Sequence, residues 1–332
     1  MSDNRSVRCL IVGAGPAGYT AAIYAARALL NPVMIRGLTP GGQLTITADV
    51  ENYPGFADVI QGPWLMDQMQ AQAEHVGAEL VDDIVVSADL SSRPFRLVCD
   101  SGQEWLAETL IIATGAQAKW LGLESERAYQ GFGVSACATC DGFFYRGKDV
   151  IVVGGGNTAV EEALFLTKFA SSVTVVHRRD SFRAERILQE RLFAHPKIKV
   201  IWNHAVDEVL GSTDPMGVTG ARLRDVDSGN TIVVPCDGVF VAIGHAPSSE
   251  VFAGQLETKA GGYLAVKPGT VSTAIQGVFA AGDVTDDVYR QAVTAAGMGC
   301  MAALEVARLL AEEDHERATT GGHAHDPAAI VA

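Results

Sequence analysis

Cys9-Leu10-Ile11-Val12-Gly13-Ala14-Gly15-Pro16-Ala17-Gly18 decides the fold. The four apolar residues read as a buried strand and the glycines as a turn. Residues 19–30 read as a helix that Asn31-Pro32 breaks. Val33-Met34-Ile35-Arg36 is the next strand and completes a strand–helix–strand unit. The G-x-G-x-x-G spacing has a physical reason. The first glycine permits the tight turn, the second lets a phosphate approach the backbone, and the third lets helix and strand pack closely. A pyrophosphate then rests on the N–H groups at the helix start. The second strand ends on Arg36, where an NAD-type site carries an acid for the ribose hydroxyl.

The pattern recurs. Val150-Ile151-Val152-Val153 is a strand and Gly154-Gly155-Gly156-Asn157-Thr158-Ala159 the turn, with Ala159 in the third-glycine place. A helix is expected over residues 160–169 and a strand over residues 172–176. That strand runs into His177-Arg178-Arg179, with Arg183 shortly after. Such a charge run is ordinarily a solvated face. At the ribose end of a fingerprint, however, guanidinium groups match a phosphate bidentately, which points to NADPH rather than NADH. Two fingerprints imply two dinucleotides, and the Pro16 variant is similar to the FAD loops of flavoproteins. Leu110-Ile111-Ile112-Ala113-Thr114-Gly115 reads as a strand closing on a turn. Gly277-Val278-Phe279-Ala280-Ala281-Gly282-Asp283 reads as another, ending in an acid at the ligand crevice; residues 238–244 are its counterpart in the second half.

This order predicts an α/β fold with two Rossmann-like dinucleotide-binding domains, the second inserted in the first. The FAD-binding domain takes residues 1–118 and 246–313, and the NADPH-binding domain residues 119–245. A final helix is expected over residues 297–313. Residues 314–332 lack periodicity and read as a mobile tail, whose His315, His323 and His325 are not taken as metal ligands. A chain of 332 residues exceeds one core and suits two domains. Its 48% hydrophobic and 19% charged residues exclude a disordered chain, a collagen or a coiled coil. A net charge of −14 argues against nucleic acid or anionic membrane as partner. No uninterrupted apolar run approaches about 18 residues and the first eight residues are polar, so neither a membrane span nor a signal peptide is expected.

Four of the six cysteines, Cys9, Cys99, Cys236 and Cys300, stand alone in apolar surroundings. The others form Cys137-Ala138-Thr139-Cys140 inside the NADPH half. Three chemistries use two cysteines at this spacing. A zinc site asks for four ligands, and no second pair lies at suitable spacing. A structural disulfide belongs to oxidising compartments. A redox dithiol, which exchanges with an incoming disulfide, is the favoured reading. Asp141 follows as a carboxyl that relays protons to the thiols, or as a turn residue before Gly142.

From about residue 7 to residue 310 the chain resembles the low-molecular-weight bacterial thioredoxin reductases. The likeness rests on the loop 13–18, Gly41-Gly42-Gln43-Leu44, Glu51-Asn52-Tyr53-Pro54-Gly55 and Ser135-Ala136-Cys137-Ala138-Thr139-Cys140-Asp141-Gly142. It continues through the loop 154–159, His177-Arg178-Arg179-Asp180, Gly282-Asp283 and Tyr289-Arg290-Gln291-Ala292. The resemblance implies that Gly13, Gly15, Pro16, Ala17, Gly18, Gln43, Asn52, Asp283, Arg290, Gln291 and Ala292 hold FAD. Arg36, Gly42, Leu44, Thr114, Gly115 and Gly282 complete the cofactor-binding set. Gly156, Asn157, Thr158, His177, Arg178, Arg179 and Arg183 would hold NADPH. Cys140 would face the flavin, Cys137 attack the protein substrate, and Asp141 act as acid and base. The implied protein is a cytoplasmic homodimer that passes electrons from NADPH through FAD and the dithiol to thioredoxin, with a domain rotation during turnover. Two alternatives stand beside it: a flavin reductase serving a peroxidase-linked or glutaredoxin-like disulfide, and a nucleotide-sensing protein without turnover.

Overall fold

The computed structural model describes residues 4–38, 40–47 and 49–321. It divides into two compact units. The first takes the chain up to Thr45, Pro63–Ala116 and the chain from Pro247 onward; the second takes Ile46–Gly62 and Gln117–Ala246. Residues 46–62 therefore group with the second unit, so the chain passes between the units four times where the sequence shows two crossings. Two of the passages, Ala116–Ala118 and His245–Pro247, are strands that pair with each other.

In the first unit, strand Arg5–Val12 lies between parallel neighbours Val33–Ile35 and Glu104–Ile112. Glu79–Val81 extends the parallel sheet on one side, and Val278–Ala280 joins Glu104–Ile112 on the other. Phe95–Cys99 and Val85–Asp89 add an antiparallel edge. The flanking pairs Leu10 to Val33 and Leu10 to Leu110 explain the unbroken apolar run: a central parallel strand is covered on both faces and needs no polar alternation. Helix Pro16–Arg27 starts at a proline, whose missing N–H costs nothing there, and buries nearly its whole circumference through small residues such as Ala17, Ala21 and Ala22. It stops three residues short of the expected end because Leu29 and Asn31 turn into the left-handed region before Pro32.

The last helix, Ala292–Gly321, corrects the sequence reading at both ends. It begins five residues earlier and continues through residues 314–321, which the absence of apolar periodicity had marked as a mobile tail. Ion pairs hold that extension instead: Arg8 reaches Asp314 at 2.8 Å, and Arg93 and Arg317 both meet Glu313. His323 and His325 lie outside the described residues. By length and composition Ala292–Thr319 is apolar enough to cross a membrane, although charged residues interrupt its apolar run. Part of that apolar surface serves packing: Gly299 lies so close to Ala17 that a Cβ would stand 2.0 Å from its carbonyl oxygen.

The second unit has an all-parallel sheet in the order Val134–Ser135, Gly238–Val241, Asp149–Val153, Ser172–Val176, Ile198–Ile201. A three-stranded antiparallel sheet follows, His204–Thr213, Met216–Asp225 and Thr231–Pro235. Helix Asn157–Leu166 covers the parallel sheet and begins at the glycine loop, three residues before the expected start. Beyond its end the Lys197 ammonium donates to the carbonyls of Thr167 and Ala170, both at 2.8 Å, which closes the helix before Phe169.

Gly299→Ala inserts a methyl where the Ala17 carbonyl stands, so it should destabilise the protein by about 1–3 kcal/mol through overpacking. Urea unfolding measures this, and an unchanged midpoint would show that the two helices separate without cost.

Candidate active site

Gly13 has φ 110° and its missing Cβ would stand 2.2 Å from the Ala113 carbonyl oxygen, so the turn admits only glycine. At Gly18 a Cβ would lie 1.9 Å from the Gly13 carbonyl oxygen. Gly15 differs: a Cβ there meets nothing within 4 Å, and as the N-cap of helix Pro16–Arg27 it offers no side-chain cap. The helix N–H groups thus face open space over a residue without a side chain. The second loop repeats this geometry. Gly154 presses on the Ala242 carbonyl, whereas Gly156 faces open space as an uncapped N-cap of Asn157–Leu166. Both loops fit a pyrophosphate, which a helix start binds through its unsatisfied N–H groups.

The structure gathers the other first-unit candidates round the first loop. The Gly41 N–H donates to the Ala14 carbonyl, and Gly42 lies against Gly15, which brings Gln43 and Leu44 into the same neighbourhood. The Ala281 N–H donates to Ile112, and Gly282 abuts Ala17, which sets Asp283 beside the loop. The Thr114 hydroxyl donates to the Ser248 carbonyl and Gly115 accepts from the Ser248 N–H. Asp286 accepts the N–H groups of Val288, Tyr289 and Arg290, so Arg290-Gln291-Ala292 enters the last helix from a fixed turn. Burial, reinforced by the nearby Asp286 carboxylate and opposed by Arg290, pushes the Asp283 carboxyl up to about 7. Arg36 is held by Asp82, Nε to Oδ1 at 2.5 Å and Nη2 to Oδ2 at 3.1 Å, while its Nη1 is buried without a hydrogen-bond partner. Asp82 follows strand Glu79–Val81, a carboxylate that the two fingerprints alone do not reveal.

In the second unit, Arg178, Arg179 and Arg183 are exposed at the end of Ser172–Val176, while His177 is buried beneath Gly155. Burial first, then Arg179 and Arg183, push the His177 pKa down, so it is neutral near pH 7. Asn157 is committed to the fold: its side chain exchanges hydrogen bonds with Glu185. Thr158 follows on the helix, and Asn52 lies in the 46–62 segment of this unit.

Cys137 and Cys140 form a disulfide with Cα atoms 5.3 Å apart, inside the ordinary range. Cys137 caps the short helix Ala138–Asp141: its Sγ accepts the Cys140 N–H at 3.2 Å and lies 3.3 Å from Thr139 Oγ1. Ser135 is buried; its hydroxyl accepts the Cys137 N–H at 3.0 Å, donates to the Cys137 carbonyl at 3.4 Å, and acts on the Asp141 carboxyl. Burial pushes the Asp141 pKa up, the Ser135 bond opposes the shift, and the Asp49 carboxylate adds to it. Asp49 approaches through the 46–62 segment, and no local motif announces it. Among the described residues no cluster could hold a metal ion.

A pyridine nucleotide-disulphide oxidoreductase family model matches residues 7–299. A thioredoxin reductase of Rickettsia felis is 59% identical over 305 residues, 92% of this chain and 98% of the relative. The chain belongs to the pyridine nucleotide-disulphide oxidoreductases. Within that family it is a low-molecular-weight thioredoxin reductase by its relatives: the solved thioredoxin reductase of Giardia duodenalis has a TM-score of 0.88 at 45% identity, covering 92% of this chain and 99% of that one. One relative bears another name, a glucosaminate ammonia-lyase of Pseudomonas fluorescens, 53% identical over 93% of this chain and 98% of its own. The chain is thus an oxidoreductase of two Rossmann-like domains that uses a flavin and a pyridine nucleotide.

The raised Asp283 pKa has a stability consequence for the cofactor-free protein. The contribution of its protonated form is fully present below the ordinary 3.8 and is lost as pH rises through about 7. Asp283→Asn should therefore lose less stability than the parent between pH 4 and pH 7, as read by urea midpoints at both values. Parallel losses in the two proteins would contradict the burial cost.

Proposed function

We propose that the chain reduces the disulfide of oxidised thioredoxin, with NADPH as electron donor, FAD as resident flavin and Cys137–Cys140 as the relay. The observation that carries this reading is the Cys137–Cys140 disulfide beside a partly buried acid, in the same unit as an arginine-flanked glycine loop. FAD and NADPH supply hydride and electron transfer when bound. The chain supplies placement. The loop 13–18, with Gly42, Gln43, Leu44, Thr114, Gly115, Gly282, Asp283 and the segment 290–292, receives FAD. Arg36 belongs to the same set. Gly156, Thr158 and the backbone N–H of Asn157 receive the NADPH pyrophosphate, and Arg178, Arg179 and Arg183 its 2′-phosphate end, with His177 buried beneath the loop.

Cys137 is the attacking sulfur. The Cys140 N–H and the Thr139 hydroxyl point at its Sγ, and both bonds strengthen toward a thiolate. Its thiolate bonds to one thioredoxin sulfur and expels the other as a thiolate. Cys140 then attacks Cys137, re-forms the internal disulfide and releases the second thioredoxin sulfur. Asp141 supplies the proton to the departing sulfur, and its raised pKa keeps that proton available nearer neutrality. We further propose that the protein acts as a cytoplasmic homodimer with no membrane or nucleic-acid partner; the charge of −14 supports the last point.

Cys137→Ser and Cys140→Ser should each abolish NADPH-dependent thioredoxin reduction while FAD stays bound, read by the coupled assay and the flavin spectrum. Thioredoxin turnover in either variant would remove the relay from the reaction. Asp141→Asn should slow turnover about 10²-fold, with the loss greatest where the parent acid is still protonated. Arg178→Gln and Arg179→Gln should each raise KM for NADPH about tenfold and leave KM for NADH unmoved, since each removes one charge-assisted phosphate contact. A parent enzyme that turns over both nucleotides equally would remove the 2′-phosphate assignment.

A further inference from the structure

We propose that Phe182 and Trp202, which belong to neither glycine loop, are positioning residues that hold the arginine loop in register and so set the preference for a 2′-phosphorylated nicotinamide nucleotide. The proposal rests on the NADPH reading of the second unit. Between strand Ser172–Val176 and helix Arg186–Ala194 the backbone has no regular structure, yet it must present three cations at one place. Like charges on an irregular segment repel one another, so the segment needs anchors of another kind.

The burial pattern supplies them. His177 is 6% exposed, Phe182 8% and Ala184 7%, whereas Arg178, Arg179 and Arg183 face solvent. The Phe182 and Trp202 ring centroids are 4.4 Å apart. The His177 ring lies 5.6 Å from Phe182 and 6.2 Å from Trp202, edge-on to the latter. Ring pairs of this kind attract one another beyond what their buried area contributes. The turn that carries Trp202 also holds the loop by its backbone. His177 N–H donates to the Ile201 carbonyl, Asn203 N–H to Arg179, and His204 N–H to His177, at 3.0, 3.2 and 3.1 Å. Asn203 takes the left-handed conformation that this turn requires, φ 56°. On the other side the Arg183 N–H donates to the Gly155 carbonyl at 2.7 Å.

Phe182 is therefore the wedge between two arginine positions, and Trp202 the wall it rests on. His177 links that wall to the glycine loop: a Cβ on Gly155 would stand 2.2 Å from its Cε1. A smaller residue at 182 leaves the loop backbone and pyrophosphate cradle in place but frees Arg183 and its neighbours to diverge. The loss then falls on the phosphate contact that NADH does not make, not on the contacts both nucleotides share.

KM and kcat with NADPH and with NADH, at saturating thioredoxin, test this in the holoenzyme and in Phe182→Leu, Trp202→Leu and Trp202→Phe. The two leucine variants should raise KM for NADPH about tenfold, the loss of one charge-assisted contact, with KM for NADH and both kcat values near the parent's. Trp202→Phe should restore most of the discrimination, because it keeps an aromatic wall. Should the melting curve show Phe182→Leu unfolded, Trp202→Leu decides alone. Leucine variants that keep the parent's ratio of the two KM values, or that raise both equally, overturn the proposal. A parent that does not discriminate overturns the NADPH reading and the proposal with it, and the two failures are told apart by the parent's own ratio.

Discussion

Two backbone carbonyls govern this structure. The Ala113 oxygen stands 2.2 Å from where a Cβ of Gly13 would be, and the Ala242 oxygen 2.4 Å from that of Gly154. Each carbonyl lies just past the carboxyl end of a parallel strand, Glu104–Ile112 in one unit and Gly238–Val241 in the other. With no side chain in the way, the turn drops against its neighbouring strand and the following helix starts at the strand ends. That is the crevice where ligands of open parallel sheets bind. Helix starts without side-chain caps follow from the same geometry, and so does the open space at Gly15 and Gly156. A close backbone contact and an anion site are thus two consequences of one missing Cβ.

The two units diverge at the far end of the second strand. In the first, Arg36 is tied up by Asp82, and the pair is nearly neutral to an incoming group. In the second, three arginines stand exposed in a chain whose net charge is −14. A nearly neutral pair at one position and exposed cations at its counterpart are the difference on which the proposed assignment of two dinucleotides rests.

Burial sets three of the free cysteines apart from the redox pair, while Cys300 is as partly exposed as that pair and lacks a partner cysteine beside it in sequence. Burial pushes the Cys9 and Cys236 thiols up to about 12 and Cys99 up to about 11, so they hold little thiolate near neutral pH. Cys137 and Cys140 are partly exposed, and the Cys140 N–H and the Thr139 hydroxyl are directed at the Cys137 sulfur. The same desolvation at Asp141 keeps a carboxyl protonated to higher pH, and the proposed proton transfer uses that property.

The fold was legible in the sequence because its signals are local. A four-residue apolar run, a glycine turn and a helix-breaking Asn31-Pro32 encode backbone conformation over a span shorter than one element. The cysteine pair and the arginine cluster were legible for the same reason: their spacing is short and their side chains rare in such places. Element ends were read less well, since Leu29, Asn31 and the Lys197 cap settle them by backbone turns and a residue some thirty positions away. The helix through residues 314–321 escaped notice because Arg8 holds Asp314 across 306 residues of chain. Only the tertiary structure placed Asp82 on Arg36, Ser135 and Asp49 round Asp141, and Phe182 against Trp202. Backbone shape follows from neighbours in sequence, whereas desolvation, charge pairing and ring contact depend on neighbours in space, which no local pattern records.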